Sequence, residues 1–218
     1  MAKSYFVVGT DTNAGKTYIA TALVKHFVRQ GLHTVGMKPV ASGCTVNSLG
    51  ELENEDAVAL SQTSNVIAPL NLTNPYRFAP AIAPHIAAEL LGVAVDLQVI
   101  TEAYQQLCDL AEVVIVEGAG GFLVPMNATE TIADLAIKLN IPLVLVVGVR
   151  LGCINHALLT VEAIQARGLK LAGWVANQID QNMPNFDENV QSLQQRIAAP
   201  CLSVVRWQGE LSLDKTAL

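Results

Sequence analysis

Gly9-Thr10-Asp11-Thr12-Asn13-Ala14-Gly15-Lys16-Thr17 follows directly on the apolar run Tyr5-Phe6-Val7-Val8 and opens into a helical pattern from Gly15 to Gln30. A strand, a glycine-rich turn and a helix in that order are the context in which such a segment cradles phosphates. Each part has its own task. Gly15 lets the backbone come close to the phosphates, the helix N-terminus presents unpaired N–H donors, Lys16 offsets phosphate charge, and the Thr17 hydroxyl can ligate Mg²⁺. Thr12, Asn13 and Ala14 complete the turn. One feature departs from the common G-x-x-x-x-G-K-T spacing: Gly9 stands one position early, with Thr10 in its place. An ordinary Gly-rich turn is the bland alternative, and motif plus context outweighs it.

Outward from the loop, short runs rich in Val, Ile and Leu alternate with helical patterns, the signature of a parallel sheet with crossover helices. Strands are predicted at Tyr5 to Gly9, His33 to Lys38, Glu112 to Glu117, Leu143 to Gly148 and Leu171 to Asn177, with a weaker sixth at Leu202 to Val205. The first helix ends at Gly31, a natural left-handed stop. A later one, Asn185 to Ile197, lines up Phe186, Val190, Leu193 and Ile197 on one stripe. Between Val40 and Leu110 lies a long crossover with helical patterns at Asp56 to Ser61, Pro84 to Leu91 and Leu97 to Leu110, separated by the Pro- and Asn-rich segment Pro69 to Pro80. The expected fold is α/β: a single P-loop domain over residues 1–218, with a mainly parallel twisted sheet and helices on both faces.

Composition narrows the function. The chain has 218 residues, 51% hydrophobic and 15% charged, enough for one substantial core. A net charge of −6 argues against a broad basic surface for nucleic acid or anionic lipid, though a local basic pocket for phosphates remains open. Cys44, Cys108, Cys153 and Cys201 form no C-x-x-C pair and read as unpaired thiols in a reducing compartment. Met1 runs almost at once into the first strand without a secretory pattern, and the longest apolar stretch, Ile141 to Val149, is far short of the roughly 20 residues a membrane span needs. A cytoplasmic protein is expected, with neither membrane nor nucleic acid as partner.

In a parallel sheet, ligands lie outside the carboxyl ends of the strands. Polar residues recur there: the phosphate loop after the first strand, Lys38 after the second, Glu117 after the third, Arg150 after the fourth, Asn177 at the fifth. Singly, each could be a solvated or turn-forming residue; together they point to one edge. Glu117 precedes Gly118-Ala119-Gly120-Gly121, where missing side chains let a ligand lie against backbone. Its carboxylate can help hold magnesium, directly or through water. Asp56 is a second candidate, with a helix-start acid favoured by the dipole as its alternative. Mg²⁺ needs only one or two carboxylates. Cys153 and His156 have no evident companions for a zinc site, and His85 reads as a helix-start residue.

These residues together resemble the dethiobiotin synthase family of biotin biosynthesis along nearly the whole chain. The resemblance rests on Gly9-Thr10-Asp11-Thr12 with Gly15-Lys16-Thr17, Lys38-Pro39-Val40-Ala41-Ser42-Gly43, Asn74-Pro75-Tyr76, Pro84-His85-Ile86, Glu117-Gly118-Ala119-Gly120-Gly121, Leu151-Gly152-Cys153-Ile154-Asn155-His156 and Gly173-Trp174-Val175-Ala176-Asn177. The early Gly9 belongs to that family's form of the loop. The resemblance implies a ligase that uses ATP, Mg²⁺ and CO₂ to close 7,8-diaminononanoate into dethiobiotin through a carbamate and a carbamic-phosphoric anhydride.

It further implies Lys38 as the catalytic lysine beside the carbamate, Lys16 and Thr17 at the phosphates, and Ser42 at the diamine. Thr17, Asp56 and Glu117 match the magnesium positions, Asn177 the adenine-reading residue, and Gly118, Ala119 and Gly120 the lining of the nucleotide and substrate channel. Asn155, at the start of a predicted helix, would help receive the substrate carboxylate, in a homodimer whose interface that tail crosses. Three features differ from the family pattern. Asn13 stands where many relatives carry an acid, Arg150 where some carry Lys, and Arg206-Trp207 replaces a Pro-Trp-like base-binding stretch. The competing class is a partition or cell-division-positioning switch ATPase of similar fold, but Asp11 occupies the place of its usual extra loop lysine. Cobalamin amidating synthases, also similar, need a glutaminase domain for which this chain has no room.

Overall fold

In the computed structural model, which describes residues 2–213 and 218, the apolar run before the loop is strand β1 (Lys3–Gly9). The loop leads into α1 (Lys16–Arg29), followed by β2 (Thr34–Met37). The crossover then holds β3 (Val40–Ser42), β4 (Thr45–Val46), β5 (Leu52–Glu53), α2 (Glu55–Thr63), α3 (Leu70–Thr73), β6 (Tyr76–Phe78), α4 (Pro84–Leu90) and α5 (Leu97–Leu110). The remainder alternates regularly: β7 (Val113–Glu117), α6 (Ile132–Leu139), β8 (Leu143–Val149), α7 (Cys153–Ala166), β9 (Leu171–Gln178), α8 (Phe186–Arg196) and β10 (Cys201–Val205).

Six strands form one sheet in the order β10-β9-β8-β1-β7-β2, and every neighbouring pair is parallel. Such strands are buried on both faces and read as continuous apolar runs, as Val113 to Val116 and Leu143 to Val147 do. Alternate side chains serve opposite cores. Tyr5 and Val7 pack with Ile19, Leu23 and Phe27 of α1, whereas Phe6 and Val8 face the larger cluster holding Ile100, Leu107, Leu135, Ile164 and Leu193. Helices therefore cover both faces, as expected. Truncating a fully buried side chain such as Phe27 would cost about 3–5 kcal/mol.

All six expected sheet strands are present, the weak sixth as the edge strand β10. The stripe on α8 is buried at Phe186, Val190, Leu193 and Ile197. All four cysteines are free thiols. Two regions carry more structure than the periodicity suggests. The Pro- and Asn-rich segment contains the short helix α3 and strand β6, which pairs with β3 rather than with the main sheet. The helix α6 has a start signal at Thr131: the Asp134 carboxylate accepts from the Thr131 N–H at 2.7 Å and from its hydroxyl at 2.6 Å.

The strand order positions the site. β1 lies between β7 and β8, so chain connections leave it toward both sides, and this reversal opens a crevice at its carboxyl end. With β7 next to β1 and β2 next to β7, Glu117 and Lys38 arrive beside the phosphate loop at about 4.8 Å per strand.

Candidate active site

The loop is shaped by two close approaches. A Cβ on Gly9 would come 3.0 Å from the Lys16 side chain and 3.2 Å from the Asp11 carbonyl. Gly9 thus leaves room for Lys16 to fold back over the loop, where its ammonium donates to that same carbonyl at 2.9 Å. The early glycine has a steric reason. Gly15 has φ +89, and a Cβ there would lie 2.1 Å from Asn177 Nδ2. Asn177, from the end of β9, braces the loop from behind by donating to the Ala14 carbonyl at 2.9 Å. Any side chain at position 15 would push this brace away. Asn13 takes a left-handed conformation, φ 61, one residue type that tolerates it.

A cavity of about 740 Å³ opens in front of the loop, lined among others by Lys16, Thr17, Lys38, Ser42, Asp56 and Glu117. At its floor the Lys38 ammonium donates to Glu117 Oε1 at 2.6 Å and meets Asp56 Oδ2 at 2.9 Å. The Thr17 hydroxyl donates to the same Oε1 at 2.7 Å. Lys38 is 5% exposed and Glu117 1%. Burial works against the Lys38 ammonium, but Glu117 and Asp56 outweigh it and raise its pKa. Burial likewise opposes the Asp56 carboxylate, and Lys38 more than compensates, holding it below the usual range. Lys16 has no ion-pair partner among the described residues: burial, then repulsion from Lys38, outweighs the more distant Glu117, Asp56 and Asp11 and pulls it down to about 8.

Asp56 sits in the first turn of α2, so its helix-start position and its place in the site coincide. Asn54 aims it: the Asn54 side chain accepts from the Asp56 N–H at 3.0 Å and donates to the Ser42 carbonyl at 3.2 Å. Asn before Glu55-Asp56 is a legible N-cap signal, but the tie from Asn54 to Ser42 that fixes Asp56 in the site is not local. The Ser42 hydroxyl is buried in the cavity wall without a partner among the described residues. Ala119 and Gly120 line the cavity, while Gly118 stands behind it, its carbonyl 3.3 Å from the Lys38 ammonium.

A second cavity of about 300 Å³ adjoins the loop, with Asn13, Tyr18, Asn177, Gln178, Arg206 and Trp207 in its wall. The Arg206 guanidinium is engaged elsewhere, paired with Asp187 at 2.6 Å and stacked over Phe186. Tyr18 was not anticipated; its hydroxyl donates to the Gly209 carbonyl and ties the chain after β10 to α1. Its position after Thr17 is visible in sequence, but its reach across 191 residues is not.

Two expected residues lie apart. Arg150 leaves β8 and pairs with Asp11 at the rim. Asn155, in the first turn of α7, is exposed and outside the main cavity. Near it a third cavity of about 450 Å³ runs past Asp11, Leu123, His156 and Leu159.

For magnesium, the donor set is all oxygen: the Thr17 hydroxyl and the Glu117 and Asp56 carboxylates converge on one wall, and Glu117 Oε2 is buried with no partner among the described residues. Hard oxygen donors with a spare carboxylate oxygen fit that ion. No helix among the described residues is long and apolar enough to cross a membrane.

A parallel sheet whose first strand feeds a glycine- and lysine-bearing loop, with a buried acid on the adjacent strand, defines a phosphate-loop nucleotide-binding protein. Solved structures share this fold: the septum site-determining protein MinD complexed with Mg-ADP from Pyrococcus horikoshii OT3 (TM-score 0.56, 12% identity, 94% of this chain and 82% of that one) and a ParA family ATPase from Chlorobium tepidum TLS (TM-score 0.57, 11% identity, 95% and 86%). The family described as an AAA domain matches residues 3–214. The ATP-dependent dethiobiotin synthetases BioD of Janthinobacterium sp. (strain Marseille) and Cellvibrio japonicus (strain Ueda107) are each 51% identical to it. The alignments cover 92% and 93% of this chain and 86% and 89% of theirs. The chain belongs to the ATP-dependent dethiobiotin synthetase family, and is thus an ATP-dependent ligase.

Proposed function

We propose that this protein closes the urea ring of dethiobiotin from 7,8-diaminononanoate, CO₂ and ATP, through a carbamate and its mixed anhydride with phosphate. The observation that carries the reading is the buried Lys38 ammonium at the cavity floor, two strands from the phosphate loop and flanked by Glu117 and Asp56.

One substrate amine attacks CO₂ and loses a proton, giving a carbamate anion. A carbamate oxygen attacks the terminal phosphorus of ATP and ADP leaves. The second amine attacks the carbamoyl carbon, loses its proton and expels phosphate, closing the ring. Transfer of this kind depends on positioning and on countering developing negative charge. Lys38 faces the carbamate and the incoming phosphoryl group, Lys16 and the N–H groups of residues 12–17 take the other phosphates, and the Ser42 hydroxyl turns its free hydrogen-bonding capacity to a substrate amine. Thr17, Asp56 and Glu117 would hold Mg²⁺, which supplies charge neutralisation at the phosphates. Asn177 and the wall formed by Tyr18 and residues 205–209 receive the base; Arg206 contributes backbone there, its guanidinium being held by Asp187.

The substrate carboxylate is placed at the N-terminus of α7, where free N–H groups and Asn155 favour an anion. Asn155 lies outside the cavity of its own chain, so a second copy would complete the site. The exposed Leu123 and Leu159 in the wall of the third cavity, with the exposed Leu151 just before α7, support such pairing.

The test is to incubate the protein with 7,8-diaminononanoate, bicarbonate, Mg²⁺ and ATP and to detect dethiobiotin by mass. ATP hydrolysis without that product would favour the switch-ATPase class instead.

A further inference from the structure

Lys38 is held by its backbone as well as by its ammonium, and both backbone contacts come from one short segment of the crossover. Its N–H donates to the Thr73 carbonyl at 2.7 Å, and its carbonyl accepts from Asn74 Nδ2 at 2.6 Å. Asn74 is fully buried. The same Nδ2 lies 3.3 Å from the Tyr76 carbonyl, the Asn74 N–H closes α3 on the Leu70 carbonyl at 2.8 Å, and the Asn74 carbonyl accepts from Arg77 at 2.7 Å. Its Oδ1, however, has no partner among the described residues. A buried amide with one end unpaired is unfavourable beside an apolar side chain of similar size, so what it contributes is the donor.

The knot sits where placement matters. Pro75 drives residue 74 out of the helical region, to φ −148 and ψ 72, which turns the chain from α3 into β6. β6 then pairs with β3, Val40 opposite Tyr76 and Ser42 opposite Phe78, so the segment that grips Lys38 runs on into the strand that holds the strand bearing Ser42. A lysine side chain has four rotatable bonds, and a fixed ammonium position needs a fixed peptide beneath it.

We propose that Asn74 is a positioning residue of the reaction: through the Lys38 peptide it sets where the Lys38 ammonium stands between Glu117 and Asp56. This rests on the reading of Lys38 as the charge-bearing group at the carbamate. Asn74 itself touches no substrate, and small misplacements of such groups cost on the order of tenfold to a hundredfold in rate.

The experiment is a double-mutant cycle in kcat, with thermal midpoints recorded for every variant. Asn74→Ala leaves a void; Asn74→Leu keeps the branched shape and removes the donor, so both are made, each alone and combined with Lys38→Gln. The expected result is a kcat lowered about tenfold or more by either Asn74 variant with KM for ATP little changed, and no further loss when Lys38→Gln is already present. A folded Asn74 variant of undiminished kcat, or losses that multiply in the double variant, overturns the positioning role while leaving Lys38 in place. Undiminished turnover in Lys38→Gln alone overturns the underlying reading and this inference with it.

Discussion

Lys38 and Glu117 form a 2.6 Å ion pair between two almost wholly buried side chains from non-consecutive strand ends, β2 and β7. Their charges compensate each other and Asp56 supplies a further negative charge, so the lysine stays an ammonium in a place that would otherwise discharge it.

Lys38→Ala and Lys38→Gln are therefore expected to lower dethiobiotin formation by about a hundredfold or more while nucleotide still binds. They will differ in stability. Alanine leaves Glu117 buried with only the Thr17 hydroxyl for company, and breaking such pairs costs about 3–5 kcal/mol; glutamine keeps a donor and costs less. Steady-state kinetics with thermal denaturation checks both parts, and full turnover in either variant would remove Lys38 from the mechanism.

Glu117→Gln should raise the magnesium needed for half-maximal rate on the order of tenfold, because it removes the charge from a carboxylate that, among the described residues, keeps a buried, unpartnered oxygen at the loop. Magnesium titration of the rate at saturating ATP measures this, and an unaltered titration curve would count against the assignment.

Lys16 ties nucleotide binding to pH. Its pKa of about 8 lies below the ordinary 10.5, so between those values the unfolded chain holds more protons and stability from this group rises with pH. Bound phosphates favour the ammonium and move its pKa back up. Binding of ADP without magnesium is thus expected to take up a proton, most fully above pH 8, and to weaken as pH rises past 8. Calorimetry in buffers of different ionisation heat reads the uptake; binding with no proton exchange from pH 7 to 9.5 would refute it.

Tyr18→Phe removes the hydroxyl that anchors Gly209 to α1. The loss of one hydrogen bond, about 1 kcal/mol, should raise KM for ATP about fivefold and leave KM for diaminononanoate unchanged. Equal effects on both substrates would mean that the tie supports the whole site and not the base cavity.

Much was determined by sequence alone, because local periodicity and the phosphate-loop pattern are short-range properties. The strands, the loop between β1 and α1 and the run of polar residues at strand ends could all be read from neighbours within a few positions. Even the early Gly9 was visible, although its reason, the folded-back Lys16 stem, was not. What only the tertiary structure decided is which of those ends meet. The order β9-β8-β1-β7-β2 sets Glu117 against both Thr17 and Lys38, 100 and 79 residues away, and turns Asn177 to the back of the loop. The folded chain also leaves Asn155 outside the cavity and pairs the Arg206 charge with Asp187. Contacts across such separations are chosen by burial of the two faces of one sheet, which no local pattern encodes; the support of Lys38 by Asn74, arranged by a crossover strand outside that sheet, is legible only there.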